Sequence, residues 1–349
     1  MSVDSFERGY VSDDLVARMA WDQSERLDMA EGSPTLGVVL GFPTAANESY
    51  ALQVLRHGES LASPTRNDGK APVELYIPTA DGFTMVQSAE EFREVRGSGL
   101  YMPMGKDEAR NHDGRIVELI QDMNANPNIT GELPLLRAAT SEGDKAIRAA
   151  VDVHKDVDGV SPDRIVTPAT PESQVTLAED ILGTTIDQVD PRYIGIIGNG
   201  PLVGGPLYKE VLPKHGVDTA KLGAVFGTRE EIQEGIPTLS ERDIRVIFTA
   251  IPVAGLIRRG CVSEDGTVII DAGYGIDPET SQPLGNIHPE LLALNGLKAA
   301  GAARPNAFTS FRGGVGPVTA AIVYDRAIPP RTPGTNPLPT DQRFAVVGA

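Results

Sequence analysis

Tyr193-Ile194-Gly195-Ile196-Ile197-Gly198-Asn199-Gly200-Pro201-Leu202-Val203-Gly204-Gly205-Pro206 is the stretch whose reading decides the fold. Its first half is apolar without a polar face, as in a strand buried on both sides. Its second half is a glycine-rich turn closing on a proline suited to the first turn of a helix. The unit is strand, glycine turn and helix, the helix running about nine residues. Further apolar runs at 221–226, 245–250 and 267–271 give the succession expected of a parallel sheet covered by helices on both faces. Residues 172 to about 305 therefore read as a Rossmann-type domain.

Toward the N-terminus the pattern is α/β again. Over 12–29, Leu15, Val16, Met19 and Ala20 recur at helical spacing behind Ser12 as N-cap, with acids in the first turn. The apolar run 36–41 lies between Pro34 and Pro43 as a buried strand would, and 48–56 looks helical. Helices are expected at 114–124 and 142–153, with a strand end at 129–135. Residues 58–107 carry Pro, Gly and polar clusters with little periodicity, apart from a strand candidate at 73–77. The expected domains are 1–160, completed by a helix at about 314–327, and 172–305. The segment 328–349, rich in Pro, Thr and Gly at its start, reads as an extended arm.

Composition narrows the class. A chain of 349 residues with 40% hydrophobic residues can hold two cores. No apolar run approaches the roughly 20 residues that span a bilayer, and Met1-Ser2-Val3-Asp4 lacks the basic and apolar regions of a signal peptide, so the expectation is a cytoplasmic protein without membrane partners. The single cysteine, Cys261, permits no internal disulfide, and the five histidines lack ligand spacing, so no metal is expected. A net charge of −17 opposes general nucleic-acid binding, which needs a basic surface.

Three segments carry chemistry. The Gly198 turn follows the domain's first strand and opens a helix, whose N–H groups and dipole suit a pyrophosphate. Lys155-Asp156-Val157-Asp158-Gly159 sets a carboxylate before a glycine turn. In Arg312-Gly313-Gly314-Val315-Gly316-Pro317-Val318-Thr319, glycines clear the backbone for a flat ligand or for positive φ before a helix begins at Pro317. Together with Pro168-Ala169-Thr170-Pro171 and 268–273, these segments resemble the methylenetetrahydrofolate dehydrogenase/cyclohydrolase family. The match in Gly198, Gly200, Val203, Gly204 and Pro206 is to that family's variant nucleotide turn.

The resemblance implies an N-terminal α/β catalytic domain, a Rossmann-type nucleotide domain and a last helix returning to the first. It also implies a homodimer, and oxidation of 5,10-methylenetetrahydrofolate, usually followed by hydrolysis of the methenyl product. By position, Tyr50 would stack on the pterin, Asp158 would bond to its ring, and Gly313, Gly316 and Pro317 would lie beside the folate, with Arg312 meeting the glutamate tail or solvent. The cofactor set would comprise Gly198, Asn199, Gly200, Val203 and Gly204, with Thr228, Arg229 and Tyr274. NADP is the expected acceptor and NAD the alternative, since Asn199 stands where NADP-dependent members often carry an arginine.

One departure bears on the second reaction. Four residues after Tyr50, where bifunctional members carry a lysine, this chain has Val54, and no lysine precedes Lys70. Arg56 keeps a positive charge nearby but deprotonates poorly. Glu132 stands where a glutamine usually precedes Leu-Pro-Leu and is the candidate substitute acid or base. Hydride transfer needs chiefly orientation, whereas delivery of water needs a proton acceptor, so dehydrogenase without effective cyclohydrolase is expected. The competing classes are a non-catalytic folate- or nucleotide-binding protein and a dehydrogenase of a related non-folate substrate.

Overall fold

Two parallel-stranded sheets, joined by two helices that touch both, organise the computed structural model of the chain, which describes residues 12–30, 33–41, 44–62, 70–79, 82–98, 106–135, 141–263, 266–294, 306–309 and 313–328. The first sheet has the order β3-β2-β1-β4, from β1 (Thr35–Leu40), β2 (Val73–Thr79), β3 (Gly82–Val86) and β4 (Ile129–Leu135). β1 pairs in parallel with β2 and β4, and β3 closes one edge antiparallel to β2. Around it lie α1 (Asp13–Met29), α2 (Ala45–Ser60), α3 (Ala89–Gly97), α4 (Lys106–Ala125) and α5 (Ser141–Ala150).

Every residue of β1 is buried, because helices cover both faces of this sheet. Leu36, Val38 and Leu40 join the core with α2, while Val39 joins Ile116, Ile120 and Ile147 from α4 and α5. Helix α2 starts earlier than expected, at a Thr44 cap whose side chain accepts from the Asn47 amide at 3.2 Å. The stretch of little periodicity holds β2 at the expected strand candidate, together with β3 and α3, which had no expectation. β3 has little alternation of its own and is placed by its partner β2.

The second sheet has the order β11-β8-β7-β5-β6, all parallel, from β5 (Ile194–Ile197), β6 (Ala224–Phe226), β7 (Val246–Thr249), β8 (Val268–Asp271) and β11 (Ala307–Phe308). This is the doubly wound Rossmann-type arrangement, with β11 an additional strand lacking a sequence signal because it is two residues long. After the Gly198 turn come α7 (Gly204–Pro206), a π turn at Leu207–Val211 and α8 (Leu212–Lys214). α9 (Arg229–Gly235) follows β6. A small hairpin of β9 (Gly275–Ile276) and β10 (Pro283–Leu284) and the short α10 (Pro289–Leu292) precede β11.

The helices α6 (Ala169–Leu182) and α11 (Val315–Ala327) join the two sheets. α11 packs on α1, α2, α6, β1 and β4, returning to the first domain as expected, while α6 also meets β8. The Ser173 and Thr319 hydroxyls meet at 2.6 Å between them, and Gln174 donates to the carbonyls of Thr249 and Ile270 at the ends of β7 and β8. One apolar core consequently runs from Leu36 and Leu133 through Val318 to Ile196 and Phe248. Ser12 does not cap α1 with its side chain. Its hydroxyl donates to the Gly313 carbonyl at 2.8 Å, because tertiary packing brings the start of α11 against it. The segment 328–349 was expected as an arm; all but Ile328 lies outside the described residues.

Candidate active site

Helix α5 ends at Ala150, short of the expected 153, and the following segment is drawn alongside β4. Glu132 donates its amide to the Lys155 carbonyl at 2.7 Å, and Val157 donates to the Glu132 carbonyl at 3.4 Å. Asp156 then shapes the turn, its carboxylate accepting the amides of Asp158 at 3.2 Å, Val160 at 3.1 Å and Ser161 at 2.7 Å. The Lys155 ammonium donates to the carbonyls of Met123, Asn124 and Asn126, which end α4. Of the two acids in this segment, Asp156 holds the turn together and the Asp158 carboxylate takes no part in that network.

Asp158 accepts the Ala169 amide, at the start of α6, at 3.2 Å. Burial is the main cause raising its carboxyl to about 6; that amide, then the Arg326 charge, lower it, Asp156 raises it and Arg148 lowers it. Tyr50, on α2, packs partly buried against the main core, with its hydroxyl buried and without a hydrogen-bond partner. Burial pushes that hydroxyl well above its ordinary range, with the Asp158 charge next and Arg326 opposing. The structure thus brings Tyr50 and Asp158 into one electrostatic neighbourhood. A buried hydroxyl without a partner, in the field of a half-buried carboxylate, is a polar group left to be satisfied by something else.

At the head of α11, Gly313 has φ +104°, and a Cβ on Gly316 would overlap the side-chain amide of Gln53, whose buried Oε1 also lacks a partner. Helices α2 and α11 therefore approach on the face that carries Tyr50, and Pro317 follows in the first turn of α11. Arg312 lies outside the described residues. Val54 is completely buried in the core, and Arg56 is exposed.

Glu132 is not brought to this face. It pairs in register with Gly37, whose added Cβ would meet Met123 of α4, and its charged neighbours are Lys155, Asp152 and Asp156. Alternation along β4 sends Leu133 and Leu135 to the core beneath α2 and Glu132 to the opposite side. Burial raises its carboxyl to about 7, against the pull of Lys155 and the Asp152 amide, and neither oxygen makes a hydrogen bond of good geometry. That amide donates instead to Asn124 Oδ1 at 3.2 Å.

The Gly198 turn sits at the carboxyl end of β5, between β6 and β7, where a doubly wound sheet opens its crevice. Gly198 has φ +94°, and a Cβ on Gly204 would overlap the Gly198 carbonyl oxygen, so turn and helix close on each other only without side chains. Asn199 and Gly200 are exposed, Val203 is half-buried, and Asn199 lies against Gly227. Thr228 caps α9 and Arg229 is its exposed first residue. The amides of Gly227 and Thr228 are taken by Glu231 Oε2, at 2.7 and 2.9 Å.

The loop after β7 is fastened by a residue that the sequence analysis missed. Asn286 accepts from the Thr249 hydroxyl at 2.7 Å and the Ile251 amide at 3.2 Å, and donates to the carbonyls of Ile251 and Val253. Asp271 supports the facing loop by accepting the amides of Gly273 and Ile287, while Tyr274 follows it half-buried. Arg326 was also missed. Its signal was a guanidinium near the end of a largely apolar helix. Among the described residues no group of three or more His, Cys, Asp or Glu side chains is placed to hold a metal.

No protein-family model matches the chain. The bifunctional protein FolD of Moorella thermoacetica is 25% identical over 291 residues, spanning 80% of this chain and 95% of its own. Among solved structures, the 5,10-methylenetetrahydrofolate dehydrogenase of the silkworm Bombyx mori has a TM-score of 0.61 at 16% identity, covering 90% of this chain and 93% of that one. The Trypanosoma brucei methylenetetrahydrofolate dehydrogenase-cyclohydrolase, complexed with NADP and an inhibitor, has a TM-score of 0.61 at 14% identity, covering 91% and 95%. Near-complete coverage by a relative in sequence, and by solved structures of the same fold, agrees with the Gly198 turn and the segments around Asp158 and Gly316 in likening the chain to the methylenetetrahydrofolate dehydrogenase/cyclohydrolase family.

Proposed function

We propose that this protein oxidises 5,10-methylenetetrahydrofolate to the 5,10-methenyl form by hydride transfer to NADP or NAD, with cyclohydrolase activity weak or absent. The observation that carries the reading is the partnerless Tyr50 hydroxyl within the field of the Asp158 carboxylate, on a helix whose Gln53 meets the glycine end of α11. A pterin presents a flat ring to an aromatic side chain and N–H donors to a carboxylate, which is the complement these two residues lack.

Two side-chain-free positions, Gly198 and Gly204, make the turn after β5 a backbone cradle that fits a dinucleotide. Asn199, Gly200, Val203 and Gly204 would hold the cofactor, with Thr228, Arg229 and Tyr274 around it. When bound, the nicotinamide accepts the hydride. The chain's own part is orientation: Tyr50 and Asp158 fix the heterocycle, and Asn286 holds the loop that ends β7 in one shape.

Hydrolysis of the methenyl product needs a group that moves a proton near the reacting carbon. Val54 has none, Arg56 is exposed, and Glu132 faces α4. The division into a folate-binding unit at 1–160, completed by α11, and a nucleotide unit at 172–305 is part of this reading, supported by the grouping of strands into two sheets. So are a homodimer, on family resemblance, and a cytoplasmic location, to which the absence of any membrane-crossing helix among the described residues is favourable.

Absorbance during incubation with methylenetetrahydrofolate and each cofactor tests the proposal. Reduced cofactor together with accumulating methenyl product is the expected result. Reduction without accumulation would restore the cyclohydrolase, and no reduction with either cofactor would overturn the dehydrogenase.

A further inference from the structure

Arg326 lies near the end of α11, partly buried, with one nitrogen, Nη1, donating to two carbonyls, those of Val157 and Thr167, each at 2.8 Å. The first carbonyl immediately precedes Asp158. The second lies two residues before Ala169, whose amide meets Asp158 Oδ1. One guanidinium therefore spans the turn that presents Asp158 and the entry to the helix on which Asp158 leans, two segments that the chain joins only through a loop.

The charges around Asp158 come from every element packed there. α11 brings Arg326, α2 brings Tyr50, α5 brings Arg148, the turn itself brings Asp156, and α6 offers the Ala169 amide. Arg148 is already engaged with Asp144 at 2.7 Å, and Asp156 is taken up by three amides. Arg326 in turn faces Asp158, Glu172, Tyr50 and Asp156. Among these groups Asp158 acts most strongly on Arg326, and Glu172 has partners of its own in the Thr167 hydroxyl at 2.7 Å and His215 at 3.0 Å. Burial pulls the guanidinium down from its ordinary range, yet such a group stays protonated.

We propose that Arg326 is a positioning residue of this site: it ties the Asp158 turn to the start of α6 and supplies the fixed positive charge that lets Asp158 meet the substrate heterocycle as an anion. The inference rests on the dehydrogenase reading. An ionised carboxylate accepts two N–H bonds where a neutral one accepts less well, so loss of Arg326 would weaken substrate binding rather than the hydride step.

The test separates charge from anchoring. Arg326→Gln keeps an N–H₂ donor without charge, whereas Arg326→Lys keeps charge without the planar fork. Wild-type activity is measured first, since its absence would sink the functional reading alone. The Asp158 carboxyl is then followed by carbon NMR against pH, assigned by its loss in Asp158→Asn, a readout that needs no turnover. In Arg326→Gln the Asp158 midpoint is expected to rise by about one unit, with KM near pH 6.5 rising about threefold and kcat within about twofold. Arg326→Lys is expected to keep the midpoint within about half a unit. An unmoved midpoint in Arg326→Gln, or equal losses in both variants, would overturn the proposal. Should the Gln variant not fold, the Lys variant decides alone: a midpoint held near the wild-type value supports the charge role, and one displaced by about a unit or more removes it.

Discussion

The two halves of the proposed active site are built in opposite ways. The nucleotide side is a contiguous stretch: Gly198 to Pro206 carries its own strand end, turn and helix start, and its geometry depends on glycines that leave space for backbone. The substrate side is assembled from Tyr50 on α2, Asp158 after α5, the Ala169 amide on α6 and Arg326 on α11, held by long-range hydrogen bonds. A site made of local backbone is visible in a sequence and fragile to any added atom. A site made of distant side chains hides its connections and is sensitive to charge.

The largest effect should come from the contiguous side. In Gly204→Ala the new methyl meets the Gly198 carbonyl, a backbone atom that cannot yield cheaply. A loss of about 3 kcal/mol in unfolding free energy is expected, with dinucleotide binding abolished. Thermal unfolding and cofactor titration check it, and near-normal binding would break the contrast. On the assembled side, Asp158→Asn removes charge-assisted acceptance while keeping shape. kcat/KM should fall by roughly 100-fold with cofactor binding unchanged, as read by steady-state kinetics beside a direct cofactor titration.

Glu132 sharpens the comparison, because it belongs to neither side in the structure. Its folded carboxyl, near 7, stands above the ordinary 4.5, so the folded state binds the proton more tightly and loses stability as pH rises from about 4.5 through 7. Glu132→Gln should therefore gain stability relative to wild type at pH 8, by on the order of 2–3 kcal/mol, with the difference fading toward pH 4.5. Denaturant midpoints across pH read this directly. Residual hydrolysis of the methenyl compound, if present, should be the same in wild type and Glu132→Gln; loss only in the variant would return Glu132 to the chemistry.

The smallest effect concerns cofactor choice. Glu231 occupies the amides of Gly227 and Thr228 beside Asn199, on the rim where a ribose phosphate would add negative charge. Because this carboxylate is exposed and screened by solvent, Glu231→Gln should shift the preference toward NADP by only roughly two- to fivefold, measured as the ratio of kcat/KM for NADP and NAD.

Much of this was open to reading from the chain alone. The apolar runs of the second sheet were placed to within a few residues, because strands buried on both sides are continuous in sequence. The Gly198 turn announced itself because missing side chains are a compositional fact. Tyr50 and Asp158 came from family resemblance, and the structure brings them together. Legibility failed where neighbours, not local pattern, decide conformation: β3 is a strand because β2 pairs with it, α5 stops because β4 captures the following residues, and Ser12 turns from its own helix to Gly313.

The sequence by itself determined the α/β class, the glycine turn after β5 and the absence of a titratable group at Val54, since these depend on residue type and on spacing within one segment. Only the tertiary structure decided that Glu132 faces α4 and that Arg326, more than 150 residues after Val157, reaches back to the Asp158 turn. The physical reason is that sheet alternation and helix packing fix which distant side chains share a dry space. The charge of a carboxylate there is set by what surrounds it rather than by its neighbours in the chain.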